Sequence, residues 1–249
     1  MSCEIPSKIH TNAILPDKLE YLGAGKSAVV YGIDSERVLK EFHDSEGSGT
    51  ERRVYQRLGS HPNIAKLLDT WADGSIILER GTPLRKICRA SSSNKIPVLT
   101  KVRWLRHAAE GYRYLHACNI IHSDVGCNNL ILMEGDLVKL IDFEGCSIDG
   151  GVAGSCYEWF SYCPSTPRVS QRTDIFAFGC AVYEVIMGQP PYHELEASDQ
   201  RYLQVEEYYR NRQFPDVTNV PLGPLIQSCW SGDVKSMDEI IQQLEAVKD

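Results

Sequence analysis

The chain has no pair of cysteines at Cys-x-x-Cys spacing, although nine cysteines are scattered through its 249 residues. An odd, dispersed set argues against a disulfide framework and implies reduced thiols in an intracellular protein. The seven histidines are equally dispersed, and His107 and His116, both on one predicted helix, lack metal-ligand spacing, so no zinc site is expected. There is no basic excess: 26 Lys and Arg stand against 33 Asp and Glu, a net charge of −7. That balance speaks against nucleic acid or an anionic membrane surface as the main partner. No apolar run is long enough to span a bilayer, and Met1 to His10 carries no signal-peptide core. Nor is there an internal repeat. The remainder is ordinary for a globular protein, 43% hydrophobic and 24% charged, and the length allows one domain of two lobes or two small domains.

Two kinds of periodicity divide the chain. From residue 14 to 42, short apolar runs alternate with glycines (Leu19–Leu22, Ala28–Ile33, Arg37–Phe42), predicting a meander of three antiparallel strands. Asp44–Thr50 reads as a Gly/Ser loop. Thr50–Leu58 reads as a helix with Val54, Tyr55 and Leu58 on its apolar side, ended by Gly59-Ser60-His61-Pro62. Ile64–Trp71 and Ser75–Glu79 read as two more strands around Asp73-Gly74. After Gly81-Thr82-Pro83 the pattern turns helical: Leu84–Arg89, a polar loop over Ala90–Ile96, then a long amphipathic helix over Leu99–His116. Thr173–Met187 is apolar nearly all round and is expected to be buried. Two further helices, near Asp199–Asn211 and Ser236–Val247, close the chain.

The richest chemistry lies in Ile121-His122-Ser123-Asp124-Val125-Gly126-Cys127-Asn128-Asn129, followed by Ile141-Asp142-Phe143. Apolar runs separate these groups and predict a hairpin around Glu134-Gly135-Asp136 that brings Asn129 close to Asp142. Phosphoryl transfer from a metal-bound nucleotide needs a carboxylate to orient the attacking hydroxyl and oxygen ligands for Mg²⁺. Asp124, Asn129 and Asp142 offer those groups. A lone His-x-Asp would be an ordinary surface turn, but here order, spacing and flanking runs agree. At these residues the chain resembles the eukaryotic protein kinases, whose catalytic loop reads His-Arg-Asp with a later Asn and whose metal loop reads Asp-Phe-Gly. Thr173-Asp174-Ile175-Phe176-Ala177, Phe214-Pro215-Asp216-Val217 and Cys229-Trp230 look most like small single-domain kinases of filamentous fungi.

The resemblance covers residues 15–247 and implies an α+β, bilobal fold: a small lobe with a five-stranded antiparallel sheet and one helix, and a large, mainly helical lobe. It implies one kinase domain over residues 1–249, with a small lobe at about 11–80, a hinge at about 79–83 and a large lobe at about 84–249. It also implies ATP and Mg²⁺ as cofactors and a protein hydroxyl, Ser or Thr rather than Tyr, as acceptor. Leu22-Gly23-Ala24-Gly25-Lys26-Ser27-Ala28 resembles the family's glycine-rich loop, with Ala28 at its third glycine position; a plain hairpin turn is the alternative. The resemblance places Val30 over adenine and Lys40, at the end of Val38-Leu39-Lys40, on the phosphates. It pairs Lys40 with a Glu on the next helix, Glu51 by its distance from His61-Pro62-Asn63-Ile64, with Glu46 as second choice. Leu78 stands as gatekeeper or plain strand residue. Glu79, Arg80 and Gly81 form the adenine-binding hinge, and Val38 and Ile131 complete the nucleotide set. Asp124, Lys40 and Asn129 are the catalytic residues implied, and Asn129 and Asp142 the metal ligands. Asp174 caps the catalytic-loop backbone from a buried helix, or serves as that helix's N-cap, or both.

Four positions depart from the family pattern. Ser123 replaces the Arg that would pair with a phosphate on the segment Gly145–Cys163, so no activating phosphate is expected. Glu144 replaces the Gly of Asp-Phe-Gly, with Gly145 next. If the chain is active, Glu144 is expected to turn away from the metal, and Glu144→Gly to leave activity equal or higher. Gly126 stands where Ser/Thr kinases often carry a Lys near the substrate hydroxyl. The Glu of the family's Ala-Pro-Glu is absent at Tyr162-Cys163-Pro164-Ser165 and its Arg partner is absent near Lys235; losing both together reads as a repacked site. A pseudokinase used as a nucleotide-binding or protein-interaction module is the alternative these departures favour, and a small-molecule kinase of related fold is a third.

Overall fold

Short runs of β-branched and aromatic residues punctuated by glycine set the first half of the fold. In the computed structural model, which describes residues 19–165 and 167–247, β1 (Glu20–Ala24), β2 (Ala28–Gly32) and β3 (Arg37–Phe42) make the expected meander. The predicted start of the meander at residues 14–18, the small-lobe limit near residue 11 and the reading of Met1–His10 lie outside the described residues. Helix α1 (Ser45–Leu58) follows, then β4 (Leu67–Thr70) and β5 (Ile76–Glu79). The five strands form one antiparallel sheet in the order β1-β2-β3-β5-β4.

The Gly/Ser stretch after Asp44, expected as loop, is helical from Ser45. Gly and Ser are weak helix formers, but propensity is a weak prior beside burial. Val54, Tyr55 and Leu58 are buried as predicted, and Gly59 (φ +60°) stops the helix in a left-handed conformation that suits glycine. The predicted strand over Ile64–Trp71 shortens to β4. Its first residues leave the sheet and run beside the large lobe instead: Leu140 N donates to Asn63 O (2.9 Å) and Ala65 N to Leu140 O (3.0 Å).

The chain crosses between lobes at Arg80-Gly81 and enters β6 (Thr82–Pro83) and α2 (Leu84–Cys88). A Cβ on Gly81 would lie 3.0 Å from both Ile131 Cβ and Leu132 O, so glycine lets the hinge pass close to the strand beneath it. Helix α3 (Val98–Ala117) buries Val102, Leu105, Ala109, Tyr112 and Leu115, the stripe read from the sequence. Beyond it come β7 (Ile120–Ile121), β8 (Leu130–Leu132), β9 (Val138–Leu140) and β10 (Ser147–Ile148). β8 and β9 form the expected hairpin, which β6 extends, while β7 pairs with β10.

Helix α4 (Gln171–Met187) is the axis of the large lobe, with every residue from Thr173 to Val182 buried. Ser170 caps it in a reciprocal box with Thr173, and Gly188 (φ +75°) ends it. Helices α5 (Arg201–Arg210), α6 (Gly223–Ser231) and α7 (Met237–Glu245) complete the lobe. The sequence reading passed over α6 because Gly223-Pro224 opens it like a turn and it is short. It packs on α4 so closely that a Cβ on Gly179 would lie 2.7 Å from Cys229 Cβ. No helix among the described residues is long and apolar enough to cross a membrane.

Candidate active site

The loop between β7 and β8 carries Asp124, and its backbone is held from below. Asp174, fully buried on α4, accepts from His122 N (2.9 Å) and Ser123 N (3.1 Å), from His116 Nε2 (2.9 Å) and from Tyr157 OH (2.7 Å). Burial pushes its carboxyl up, but the hydrogen bond from His116, the His116 and His122 rings and Tyr157 outweigh that and hold it below its ordinary value. Ser123 sits at φ +64°, a costly conformation for a residue with a Cβ, and these bonds fix it. Asp174 therefore caps the loop, as the resemblance implied; the helix N-cap is Ser170, not Asp174.

Asn129 lies at the head of β8, and its Nδ2 donates to Asp124 O (2.7 Å) and Asp124 Oδ2 (2.9 Å). Burial raises the Asp124 carboxyl to about 6; His122 and the Asn129 bond oppose this, and the charges of Glu158 and Asp142 add to it. The hairpin carries out the predicted approach: Ile141 N donates to Asn129 O (3.0 Å), setting Asp142 beside Asn129. Phe143 is fully buried between Tyr55 of α1 and His122, edge-on to both.

Lys40 points from β3 into a group of carboxylates. Its Nζ lies 2.6 Å from Glu51 Oε2 and 3.0 Å from Glu144 Oε2, and it is bonded to Asp142 as well. Glu51 also accepts from Phe143 N (3.4 Å), which ties α1 to the metal loop. Glu51 is thus the helix partner of Lys40; the side chain of Glu46 lies outside the described residues. Burial pushes Glu51 up to about 7 against the pull of Lys40, with Asp142 and Glu144 pushing the same way as burial. Burial alone would lower Lys40, but the three carboxylates raise it. Oxygens of Glu51, Asp142 and Glu144 lie within 4.8 Å of one another. Three carboxylates against one ammonium leave negative charge uncompensated, and an all-oxygen donor set suits a hard divalent cation.

Glu144 was expected to turn away from this centre, and it does not. Besides its contact with Lys40 it accepts a hydrogen bond from Ser27 Oγ of the glycine-rich loop. The nearby ammonium and hydroxyl attract the carboxylate more than solvent does. Gly145 supplies close approach: a Cβ there would lie 1.9 Å from Ser155 Oγ. The Ser123 hydroxyl donates to Gly145 O (2.8 Å), so it too holds this turn.

Several residues expected to contact nucleotide lie on the strands next to Lys40. Gly25 N donates to Ala28 O (2.8 Å) in the turn after Leu22 and Gly23. Val30 is the cross-strand partner of Lys40, and Val38 that of Leu78, which is buried, as is Ile131 on β8. The Glu79 side chain is occupied elsewhere, with Lys139 Nζ at 2.5 Å and Lys66 N at 2.9 Å.

On the other side of Asp124 lies a cluster that the sequence reading missed. Arg85 of α2 donates to Glu184 of α4 (Nε–Oε1, 2.8 Å) and to Glu158 (Nη1–Oε1, 2.8 Å), and Arg89 also bonds Glu184 (2.8 Å). A Glu inside a largely apolar helix, with Arg85 on α2 and Arg89 four residues on at its C-cap, was the available signal. Tyr157, Ser161 and Ser147 of the segment after Asp142 are buried, which withdraws them from modification in this conformation. At the fourth departure, a Cβ on Gly232 would lie 1.4 Å from Arg172 Nη1, so Arg172 fills that corner while Lys235 Nζ bonds Gly232 O (2.5 Å).

The family described as protein tyrosine and serine/threonine kinase matches residues 37–244. A probable serine/threonine-protein kinase of Arabidopsis thaliana, SIS8, is 27% identical over 259 residues, covering 92% of this chain and 25% of the relative. Mitogen-activated protein kinase kinase kinase 10 of Xenopus laevis is 27% identical over 284 residues, covering 99% of this chain and 27% of the relative. The dual specificity protein kinase pyk3 of Dictyostelium discoideum is 26% identical over 250 residues, covering 92% and 18%. The chain thus spans about a quarter or less of the length of these relatives.

Proposed function

This chain belongs to the protein tyrosine and serine/threonine kinase family, and from that premise we propose that it is an ATP- and Mg²⁺-dependent kinase acting on protein Ser or Thr hydroxyls. The observation that carries the reading is the joining of Lys40, Glu51 and Asp142 in one ion-paired centre, with Asp142 beside Asn129 and Asn129 bonded to Asp124. One of these relatives is named a serine/threonine-protein kinase, one a mitogen-activated protein kinase kinase kinase and one a dual specificity protein kinase, which supports Ser or Thr as acceptor.

The roles follow from the chemistry of each group. Bound Mg-ATP would supply the electrophilic γ-phosphoryl group and a metal that neutralises its charge. Asp142 and the Asn129 amide oxygen would hold the metal, and Lys40, kept cationic by its carboxylates, would grip the phosphates. Asp124, raised to about 6 and fixed by Asn129, orients the acceptor hydroxyl and takes its proton. Leu22, Ala28, Val30, Val38, Leu78 and Ile131 would enclose the adenine, and the backbone at Glu79–Gly81 would bond it. With Ser123 spent on Gly145 and Ser155, no Arg awaits a phosphate, so activity does not depend on one.

One observation favours the second reading, a pseudokinase: Glu144 occupies Lys40, the group that phosphates would need. Autophosphorylation with Mg-ATP separates the two, comparing wild type with Asp124→Asn. Transfer that vanishes in Asp124→Asn is expected. Equal signal in both proteins, or none in either, would leave the binding-module reading.

A further inference from the structure

Gly126, two residues past Asp124, presents no side chain to the acceptor side. The space above it is filled from two other elements: a Cβ on Gly126 would lie 3.2 Å from Glu158 Oε2 and 3.8 Å from Arg85 Nη2. The loop backbone and the pair above it are therefore complementary in shape. Resting on the kinase reading, we infer that the Glu158–Arg85 ion pair seats the segment around residues 157–160 against the catalytic loop, which makes Glu158 and Arg85 positioning residues for the acceptor protein.

The geometry is that of a fork: Arg85 Nη1 and Nη2 each meet one oxygen of Glu158, at 2.8 and 2.5 Å. Bidentate charge-assisted pairs fix orientation as well as distance. The side chains are 12% and 29% exposed, so water screens the pair far less than a surface one. Arg85 cannot drift, because Glu184, with no exposure at all, binds its other edge. The residues after Glu158 are anchored in turn. Phe160 is buried under the Arg85 guanidinium (5.4 Å to the ring centre), and its carbonyl accepts from Tyr209 OH (2.6 Å). Tyr157 OH is bonded to Asp174 (2.7 Å), and Arg201 lies over Trp159 (5.9 Å). Of these anchors only Glu158 joins the segment by charge to the rim beside Asp124. A built-in carboxylate thus does for this segment what an added phosphate would otherwise have to do.

Glu158→Gln tests this, because it keeps the side chain's shape and leaves the Arg85–Glu184 bonds in place. Two measurements are made on the full chain: hydrogen exchange followed by mass spectrometry, and steady-state transfer to dephosphorylated casein. In Glu158→Gln the amides of residues 154–162 should exchange about tenfold faster while α3 and α4 are unchanged. The KM for casein should rise about tenfold, with the KM for ATP unmoved. Unchanged exchange over 154–162, a uniform rise throughout the chain, or a KM for ATP that rises as much as that for casein would each overturn the inference. A wild-type protein inert toward casein counts against the kinase reading, and the exchange comparison then decides the pair alone.

Discussion

The two sides of Asp124 handle buried charge in opposite ways. On the side proposed for the nucleotide one ammonium, Lys40, faces Glu51, Asp142 and Glu144. On the side proposed for the acceptor two guanidiniums, Arg85 and Arg89, face Glu158 and Glu184, with the exposed Glu196 at 3.9 Å from Arg89. Apart from that exposed group, the second cluster sums to zero and reads as scaffold. The first is short of positive charge: burial raises the Glu51 carboxyl against the pull of Lys40, and the charges of Asp142 and Glu144 add to the rise. A scaffold has no use for uncompensated charge, since burying it costs several kcal/mol. A centre that must take up a cation and polyphosphate together does.

The contrast breaks most completely at Lys40. Lys40→Met should abolish phosphoryl transfer, as seen in a radiolabelled phosphate assay, while circular dichroism keeps the wild-type profile. Wild-type turnover would remove Lys40 from the site. On the balanced side the loss should appear as stability. Arg85→Met strips Glu158 of its partner and leaves Glu184 with Arg89 alone, and should lower unfolding free energy by about 3–5 kcal/mol in urea titration. Replacing Arg85, Glu158 and Glu184 together by apolar residues should recover most of that. If the single variant costs nothing, the cluster is not the scaffold described.

Asp174 holds the loop between the two sides, and acid should reveal it. Its folded value lies below its unfolded one, so its contribution is complete above the unfolded value near 3.8 and lost as pH falls through the folded value. Asp174→Asn should therefore cost about 2 kcal/mol at neutral pH, from weakened bonds to His122, Ser123 and His116, and progressively less in acid. A gap between the two proteins that stays constant with pH would contradict this. The smallest effect is expected at Glu144. Removing its charge frees Lys40 and Ser27, so Glu144→Gln should bind metal-free ATP a few-fold tighter in calorimetry, worth about 0.5–1 kcal/mol. Weaker binding would mean that Glu144 aids the nucleotide rather than competing with it.

Local signals in the sequence reached the first cluster and not the second. Lys40, Asp124, Asn129 and Asp142 could be found because each sits at a fixed place in a short pattern of strand and turn. Glu51 followed from its distance to the next turn. The acceptor-side cluster joins positions 85, 158 and 184, which no local pattern relates, and only the packing of α2 on α4 brings them together. Glu144 was misplaced for a similar reason. Its direction is set by Ser27, 117 residues away, rather than by its neighbours in the chain. Helices α1 and α6 show the same limit in the fold. Weak formers at one end and a Gly-Pro start at the other hid elements that tertiary burial supports.

The short parallel contact between Asn63–Ala65 and Leu140 has a mechanical consequence. The small lobe meets the large one there and at the Arg80-Gly81 crossing, through Lys40 and Glu51 at the loop around Asp142, and through the Arg57–Asp149 fork and the Tyr114–Leu58 bond behind it. A body bolted at several separated points keeps no free rotation, so the lobes of this conformation rock only once some of those bonds break. The bridge is made of backbone, which makes it the bolt least sensitive to side-chain substitution, while the ion pairs are the bolts that charge can undo.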